Sequence, residues 1–158
     1  MALYLVRHAK AGDRRDWSPD DHLRPLSPKG QAQAVALADL LAGSGAVRVL
    51  SSPFVRCVQT VEVLAGRLGL KVEEHDALAE GAWAAAAADL AREVAARGPG
   101  VLCSHGDVIP SLLYHLQQAD GLRLEGDRGM KCAKGSTWAL DLGPDDRFVR
   151  GVYLPPPA

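Results

Sequence analysis

At 158 residues, with 47% hydrophobic, 23% charged and 5% aromatic residues, the chain has the material for one domain with a proper core and is too apolar to be disordered. No stretch approaches the roughly 20 apolar residues that a membrane-crossing helix needs, and residues 1–7 are too short and too soon charged for a secretory signal. Eighteen Lys and Arg against 19 Asp and Glu leave a formal charge of −1, so no overall field attracts a nucleic-acid polymer or an anionic membrane. Any anion site must therefore be a local gathering of cations. Cys57, Cys103 and Cys132 are odd in number and lack metal-ligand spacing, which points to a reduced, cytoplasmic chain without a metal or cofactor.

Residues 2–6 form a short apolar run that stops at Arg7-His8, the pattern of a buried strand with a polar end. Residues 11–28 are polar and punctuated by Gly12, Pro19 and Pro25, which predicts a long loop. Ser27-Pro28 opens a helix, with serine as N-cap and proline at the first helical position. Val35, Leu37, Ala38, Leu40 and Leu41 carry it towards Gly43. The grammar repeats: a strand over 47–50, Ser51-Ser52-Pro53 as cap and start, a helix with Val55, Val58, Val61, Val63, Leu64 and Leu68 on its buried side, and Gly69 as its stop.

A short strand over 70–74 and a loop over 75–81 precede an alanine-rich helix at 84–97. Gly98-Pro99-Gly100 breaks the chain, residues 101–104 form another buried strand, and 107–118 a helix. Residues 120–134 read as irregular. Residues 136–142 and 148–154 read as a hairpin joined by Gly143-Pro144-Asp145-Asp146. Alternating strands and helices predict a three-layer α/β/α sandwich with a mostly parallel sheet and an antiparallel edge, as a single domain over residues 1–158.

In such sheets ligands bind where strand C-termini meet the following loops. Three predicted strands end in groups that can handle phosphate: Arg7-His8, then Ser51-Ser52-Pro53 with Arg56 on the next helical turn, then Ser104-His105-Gly106-Asp107. Singly, each has an ordinary reading as a strand end, a surface arginine or a loop histidine. Together they place two arginines and two histidines at one sheet edge, a cluster that repels itself unless it holds a dianion. Arginine offers bidentate contacts to phosphoryl oxygens, and a neutral imidazole can act as a nucleophile.

These residues resemble the histidine phosphatase superfamily. Leu5-Val6-Arg7-His8-Ala9-Lys10-Ala11 is similar to its opening motif, with the alanine after histidine found in the short SixA-like phosphohistidine phosphatases. Arg24-Pro25-Leu26-Ser27-Pro28-Lys29-Gly30-Gln31-Ala32-Gln33-Ala34 and Ser51-Ser52-Pro53-Phe54-Val55-Arg56-Cys57-Val58-Gln59-Thr60 are similar to the same subgroup. Ser104-His105-Gly106-Asp107-Val108-Ile109-Pro110 and Lys134-Gly135-Ser136-Thr137-Trp138 look closer to the phosphatase half fused to some MutT-type Nudix hydrolases. The resemblance implies a six-stranded phosphoglycerate-mutase-like core, His8 as nucleophile through a phosphohistidine, and Arg7, Arg56 and His105 holding phosphoryl oxygens, without metal.

By the same resemblance Glu80 is the proton donor, with Asp107 as the competing candidate. Gly106 and Arg24 join Arg7, Arg56 and His105 as substrate-binding residues. Ser52 reads as a helix cap, Lys10 as surface charge, Trp17, Trp83 and Trp138 as packing or rim residues, and Lys131 and Lys134 as candidates for contacts to further phosphates. The substrate is then a protein phosphohistidine or a small phosphomonoester, with a nucleotide or polyphosphate as the alternative and a phosphoglycerate mutase as the weaker third reading. From a different class, a catalytically silent phosphate-binding module would be expected to lose His8 or Glu80, and both are present.

Overall fold

The computed structural model describes residues 1–126 and 130–157. In chain order these form β1 (Leu3–Arg7), α1 (Pro28–Leu41), β2 (Arg48–Ser51), α2 (Val55–Arg67), β3 (Val72–Glu74), α3 (Ala84–Ala95), β4 (Gly100–Ser104), α4 (Val108–Asp120), β5 (Arg123–Glu125), β6 (Thr137–Leu142) and β7 (Phe148–Leu154). The sheet order is β3-β2-β4-β1-β6-β7-β5. The β3-β2, β2-β4, β4-β1 and β7-β5 pairs are parallel, and β6 runs antiparallel to both β1 and β7.

The alternation of side chains along the strands divides the core in two. Leu3, Leu5, Leu50, Leu102, Trp138 and Leu140 face the helices α3 and α4. Val6, Val49, Val101 and Cys103 face α1 and α2. The central strand β4 is buried along its whole length because helices cover both faces, so it is an unbroken apolar run rather than an alternating one. Truncating such a residue, Leu102 for example, costs on the order of 2–5 kcal/mol.

Local chemistry sets the helix ends. Ser27 Oγ accepts from the Gly30 amide and Pro28 occupies the first turn of α1, as expected. Gly30 is required by space: a Cβ there would lie 1.9 Å from the Lys10 carbonyl oxygen, so α1 is pressed against the loop that follows β1. The buried stripe of α1 is Gly30, Ala34, Leu37, Ala38 and Leu41, whereas Val35 and Leu40 face solvent. The helix α4 stops at Gly121, which takes a left-handed φ of 73° that favours glycine.

Three features differ from the sequence expectation. The sheet has a seventh strand, β5, in the stretch read as irregular; it is a three-residue edge of mostly exposed polar side chains, so it has no apolar pattern to reveal it. The 11–28 segment is not featureless: it holds two 3₁₀ turns, Arg14–Asp16 and Asp21–Leu23, and an antiparallel bridge between Ala11 and Leu26. Lastly, α2 begins at Val55 with Phe54 as its cap residue, so Ser52 does not cap it.

Candidate active site

Strands β2, β4 and β1 are adjacent and parallel, so their C-terminal ends lie side by side. Arg7 is in register with Ser104, and Ser51 with Cys103. The ladder continues past the strands: the His8 amide donates to the Ser104 carbonyl at 3.0 Å and the Ser52 amide to the Cys103 carbonyl at 2.9 Å. The three sets of residues singled out in the sequence are thereby brought together, and Arg7, His8, Arg56, His105, Gly106, Arg24, Glu80 and Asp107 all line one cavity of about 940 Å³.

His8 is 6% exposed, and its Nδ1 lies 2.7 Å from the Ala9 carbonyl oxygen. A carbonyl only accepts, so Nδ1 carries the hydrogen and the lone pair is left on Nε2. Burial pushes the His8 pKa down to about 3; the Ala9 carbonyl works against this, and His105, Arg56 and Arg7 add to it. The imidazole is therefore neutral at physiological pH, the form that can attack phosphorus. The Ala9 amide is held in turn by Thr60 Oγ1 at 2.9 Å, and that hydroxyl donates to the Arg56 carbonyl at 2.7 Å. Thr60 so ties the His8 loop to α2.

The two arginines share one design. Arg7 Nη1 donates to the Cys132 carbonyl at 2.6 Å. Arg56 donates from Nη1 to the Asp21 carbonyl at 3.0 Å and from Nη2 to Asp21 Oδ2 at 3.1 Å. In each case Nε is buried without a partner among the described residues, and so is His105 Nδ1. Buried donors are rarely left unpaired, and leaving one so costs roughly 1–3 kcal/mol. All three nitrogens sit on residues that line one cavity with His8.

His105 is oriented by its other nitrogen: Nε2 is 2.8 Å from Ser52 Oγ and 3.5 Å from Cys57 Sγ. Ser52 Oγ also accepts from the Phe54 amide at 3.2 Å, so the serine read as a helix cap supports the histidine instead. Phe54 packs edge-on to His105 with centroids 4.7 Å apart and lies 4.8 Å from the Arg56 guanidinium carbon. Gly106 supplies space: a Cβ there would lie 2.6 Å from Arg7 Cζ, so the guanidinium occupies the volume a side chain would take.

The carboxylates differ in freedom. Both oxygens of Asp107 are engaged, Oδ1 by the Val108 amide at 2.9 Å and Oδ2 by the Gly81 amide at 2.8 Å. Glu80 accepts no such amide among the described residues and stands 3.7 Å from both Arg56 Nη2 and Arg14 Nη2. Arg24 lines the cavity but directs Nε to Asp21 at 2.9 Å and Nη1 to the Gly12 carbonyl at 2.6 Å. Lys10 and Lys134 also line it, and Lys131 does not. The Lys134 pKa is lowered by burial and by the neighbouring Arg7, Arg24, Lys10 and Arg14. Trp138 is a packing residue, fully buried with its indole N–H on the Lys131 carbonyl, whereas Trp83 is 83% exposed. The sequence alone points to no role for Asp21, Thr60 or Phe54. Their contacts join segments far apart in the chain, and no local spacing signals them.

A doubly wound α/β sheet with a neutral histidine and two arginines lining one cavity at its strand ends is an arrangement suited to phosphoryl groups. The chain belongs to the histidine phosphatase superfamily (branch 1), whose sequence profile matches residues 3–99. It is 40% identical over 161 residues to an 8-oxo-(d)GTP phosphatase of Mycolicibacterium smegmatis, across 98% of this chain and 48% of that protein. The chain thus spans about half the length of that relative. Its fold is similar to the protein histidine phosphatase SixA complexed with tungstate, with a TM-score of 0.72 and 20% identity over 96% of this chain and 93% of that one. It is likewise similar to a mycobacterial glucosyl-3-phosphoglycerate phosphatase in complex with VO3, with a TM-score of 0.73 and 22% identity over 96% of each chain.

Proposed function

We propose that the chain is a metal-independent phosphatase that works through a phosphohistidine on His8. The observation that carries this reading is the trio of buried nitrogens on Arg7, Arg56 and His105, without a partner among the described residues, which form a cradle around a histidine fixed with its lone pair on Nε2. Nε2 attacks phosphorus while the bond to the leaving oxygen breaks, and the three donors hold the equatorial oxygens as charge develops on them. Glu80 gives the leaving oxygen its proton. Its carboxylate then takes a proton from the water that attacks the phosphohistidine, which breaks the N–P bond and frees His8. The engagement of both Asp107 oxygens supports Glu80 over Asp107 in this role.

The rest of the cavity bears on the substrate class. A protein phosphohistidine or a simple phosphomonoester needs only the inner cradle, and a SixA-like fold is compatible with either. Lys10, Arg14 and Lys134 add positive charge beyond it. That surplus favours a second reading, a nucleotide bearing more than one phosphate, and the 40% identity to an 8-oxo-(d)GTP phosphatase supports it. The three free cysteines, two of them buried, fit a reducing cytoplasmic setting. The two hydrophobic clusters on one sheet support residues 1–158 acting as a single domain.

The test is phosphate release from p-nitrophenyl phosphate, a phosphohistidine peptide and a panel of nucleoside mono-, di- and triphosphates, in EDTA, with His8→Ala as blank. Turnover that survives chelation and is lost in His8→Ala is expected, and the preferred substrate assigns the class. Turnover that requires added metal, or that persists in His8→Ala, refutes the mechanism. Phosphate binding with no turnover of any substrate would make the chain a binding module.

A further inference from the structure

Asp21 sits on the 3₁₀ turn after Asp20 and meets three arginines at once. Its carbonyl and its Oδ2 accept from the two terminal nitrogens of Arg56, at 3.0 and 3.1 Å. Its Oδ1 accepts from Arg24 Nε at 2.9 Å and lies 3.7 Å from Arg14 Nε. The Arg56 side chain is 1% exposed. We propose that Asp21 is the positioning residue for Arg56: main chain and side chain together grip the far end of the guanidinium and thereby present its Nε edge to the transferring phosphoryl group. This rests on the reading that Arg56 holds a phosphoryl oxygen.

Simple neutralisation of a buried cation does not explain the geometry. Asp21 Oδ2 alone, 3.1 Å from Arg56 Nη2, would supply the counter-charge. A carboxylate alone also leaves the guanidinium plane free to tilt, whereas two acceptors on one residue, one of them backbone, fix both its position and its plane. A guanidinium has five N–H groups in a rigid fork. Asp21 takes one from each terminal nitrogen, and Nε–H stays buried without a partner among the described residues. Arg24 completes the brace by tying Asp21 to the Gly12 carbonyl.

The brace makes a specific kinetic signature. Asp21 withdraws positive charge from the cradle, so removing its charge strengthens ground-state attraction for a phosphate dianion while it loosens the alignment needed in the transition state. Misplacement of a catalytic group by about 1 Å can cost on the order of 100-fold in rate. Asp21→Asn is therefore expected to lower kcat by roughly 10- to 100-fold with KM for p-nitrophenyl phosphate unchanged or reduced.

The experiment is a double-mutant cycle on the full chain with p-nitrophenyl phosphate: wild type, Asp21→Asn, Arg56→Ala and the double variant, with His8→Ala as blank. If Asp21 acts through Arg56, adding Asp21→Asn to Arg56→Ala changes kcat by less than about 2-fold. The same loss in both backgrounds, or a raised KM at unchanged kcat, overturns the proposal. Turnover that survives His8→Ala overturns the phosphohistidine reading and this proposal with it. A dead His8→Ala beside a wild-type-like Asp21→Asn overturns the Asp21 proposal alone. Where Asp21→Asn does not fold, Asp21→Glu, which keeps the charge and shifts it by one methylene, goes through the same cycle with the same two readings.

Discussion

The Arg7 guanidinium lies over the Cα of Gly106, so close that a methyl group on residue 106 would stand 2.6 Å from Arg7 Cζ and 2.9 Å from Arg7 Nε. One residue of the loop after β4 thus sets where the arginine at the end of β1 can rest. Gly106→Ala is expected to push Arg7 out of the cradle and cut kcat/KM by roughly 10- to 100-fold. Because the displaced group is the far end of a flexible side chain, the melting temperature should move little. Paired kinetics and thermal melts check both halves, and a variant with full activity would show that Arg7 does not need this seat.

The pH dependence of stability reports on His8. Its proton is held at about 6.5 in the unfolded chain and at about 3 in the folded one, because burial disfavours the imidazolium. Between those values the unfolded state binds more protons, so stability falls as pH drops through that window and the effect levels off below it. The slope from this one group is at most about 1.4 kcal/mol per pH unit. Urea midpoints of wild type and His8→Asn from pH 7.5 to 4 should diverge, with the variant less acid-sensitive. Parallel curves would mean that His8 titrates normally.

Glu80→Gln separates leaving groups. A proton donor matters most for a poor leaving group such as an alkoxide, where its loss costs roughly 10²- to 10⁴-fold, and little for p-nitrophenolate. The expected result is a much larger fall in kcat on alkyl phosphates than on p-nitrophenyl phosphate. An equal fall on both would remove Glu80 from the donor role.

The outer cations distinguish the substrate readings. Lys134→Ala removes one charge from the group formed with Lys10 and Arg14, and is expected to raise KM for a nucleoside diphosphate several-fold more than KM for p-nitrophenyl phosphate. Equal changes would mean that no second phosphate reaches this part of the cavity.

Ser52→Ala tests the support of His105. Without the hydroxyl, Nε2 loses its 2.8 Å partner, and the ring keeps its contacts with Cys57, Phe54 and His8. A net loss of about 1 kcal/mol of stability and a lower kcat are expected. A kcat unchanged from wild type would show that packing alone sets the ring.

What was legible in the sequence was whatever local pattern determines. The apolar runs before Arg7, Ser51 and Ser104 are strands because both sheet faces are covered, and their polar ends mark one edge. Ser27-Pro28 starts α1 because the cap chemistry is contained in four consecutive residues. The strand β5 was hidden because an exposed three-residue edge carries no apolar signal. Ser52 is not legible because a serine before a proline looks the same whether it caps a helix or supports a histidine 53 positions away. Asp21 lies among polar residues, and its role depends on an arginine 35 positions on.

The antiparallel pairing of β6 with β1 sets Val6 beside Thr137 and Leu3 beside Leu140, so the turn over residues 143–147 lies at the pole of the sheet opposite the cavity. That turn, with exposed Asp145 and Asp146, is a natural attachment point. A peptide tag or a second protein inserted there would anchor the molecule with its cavity facing outward, which gives immobilised preparations a uniform orientation.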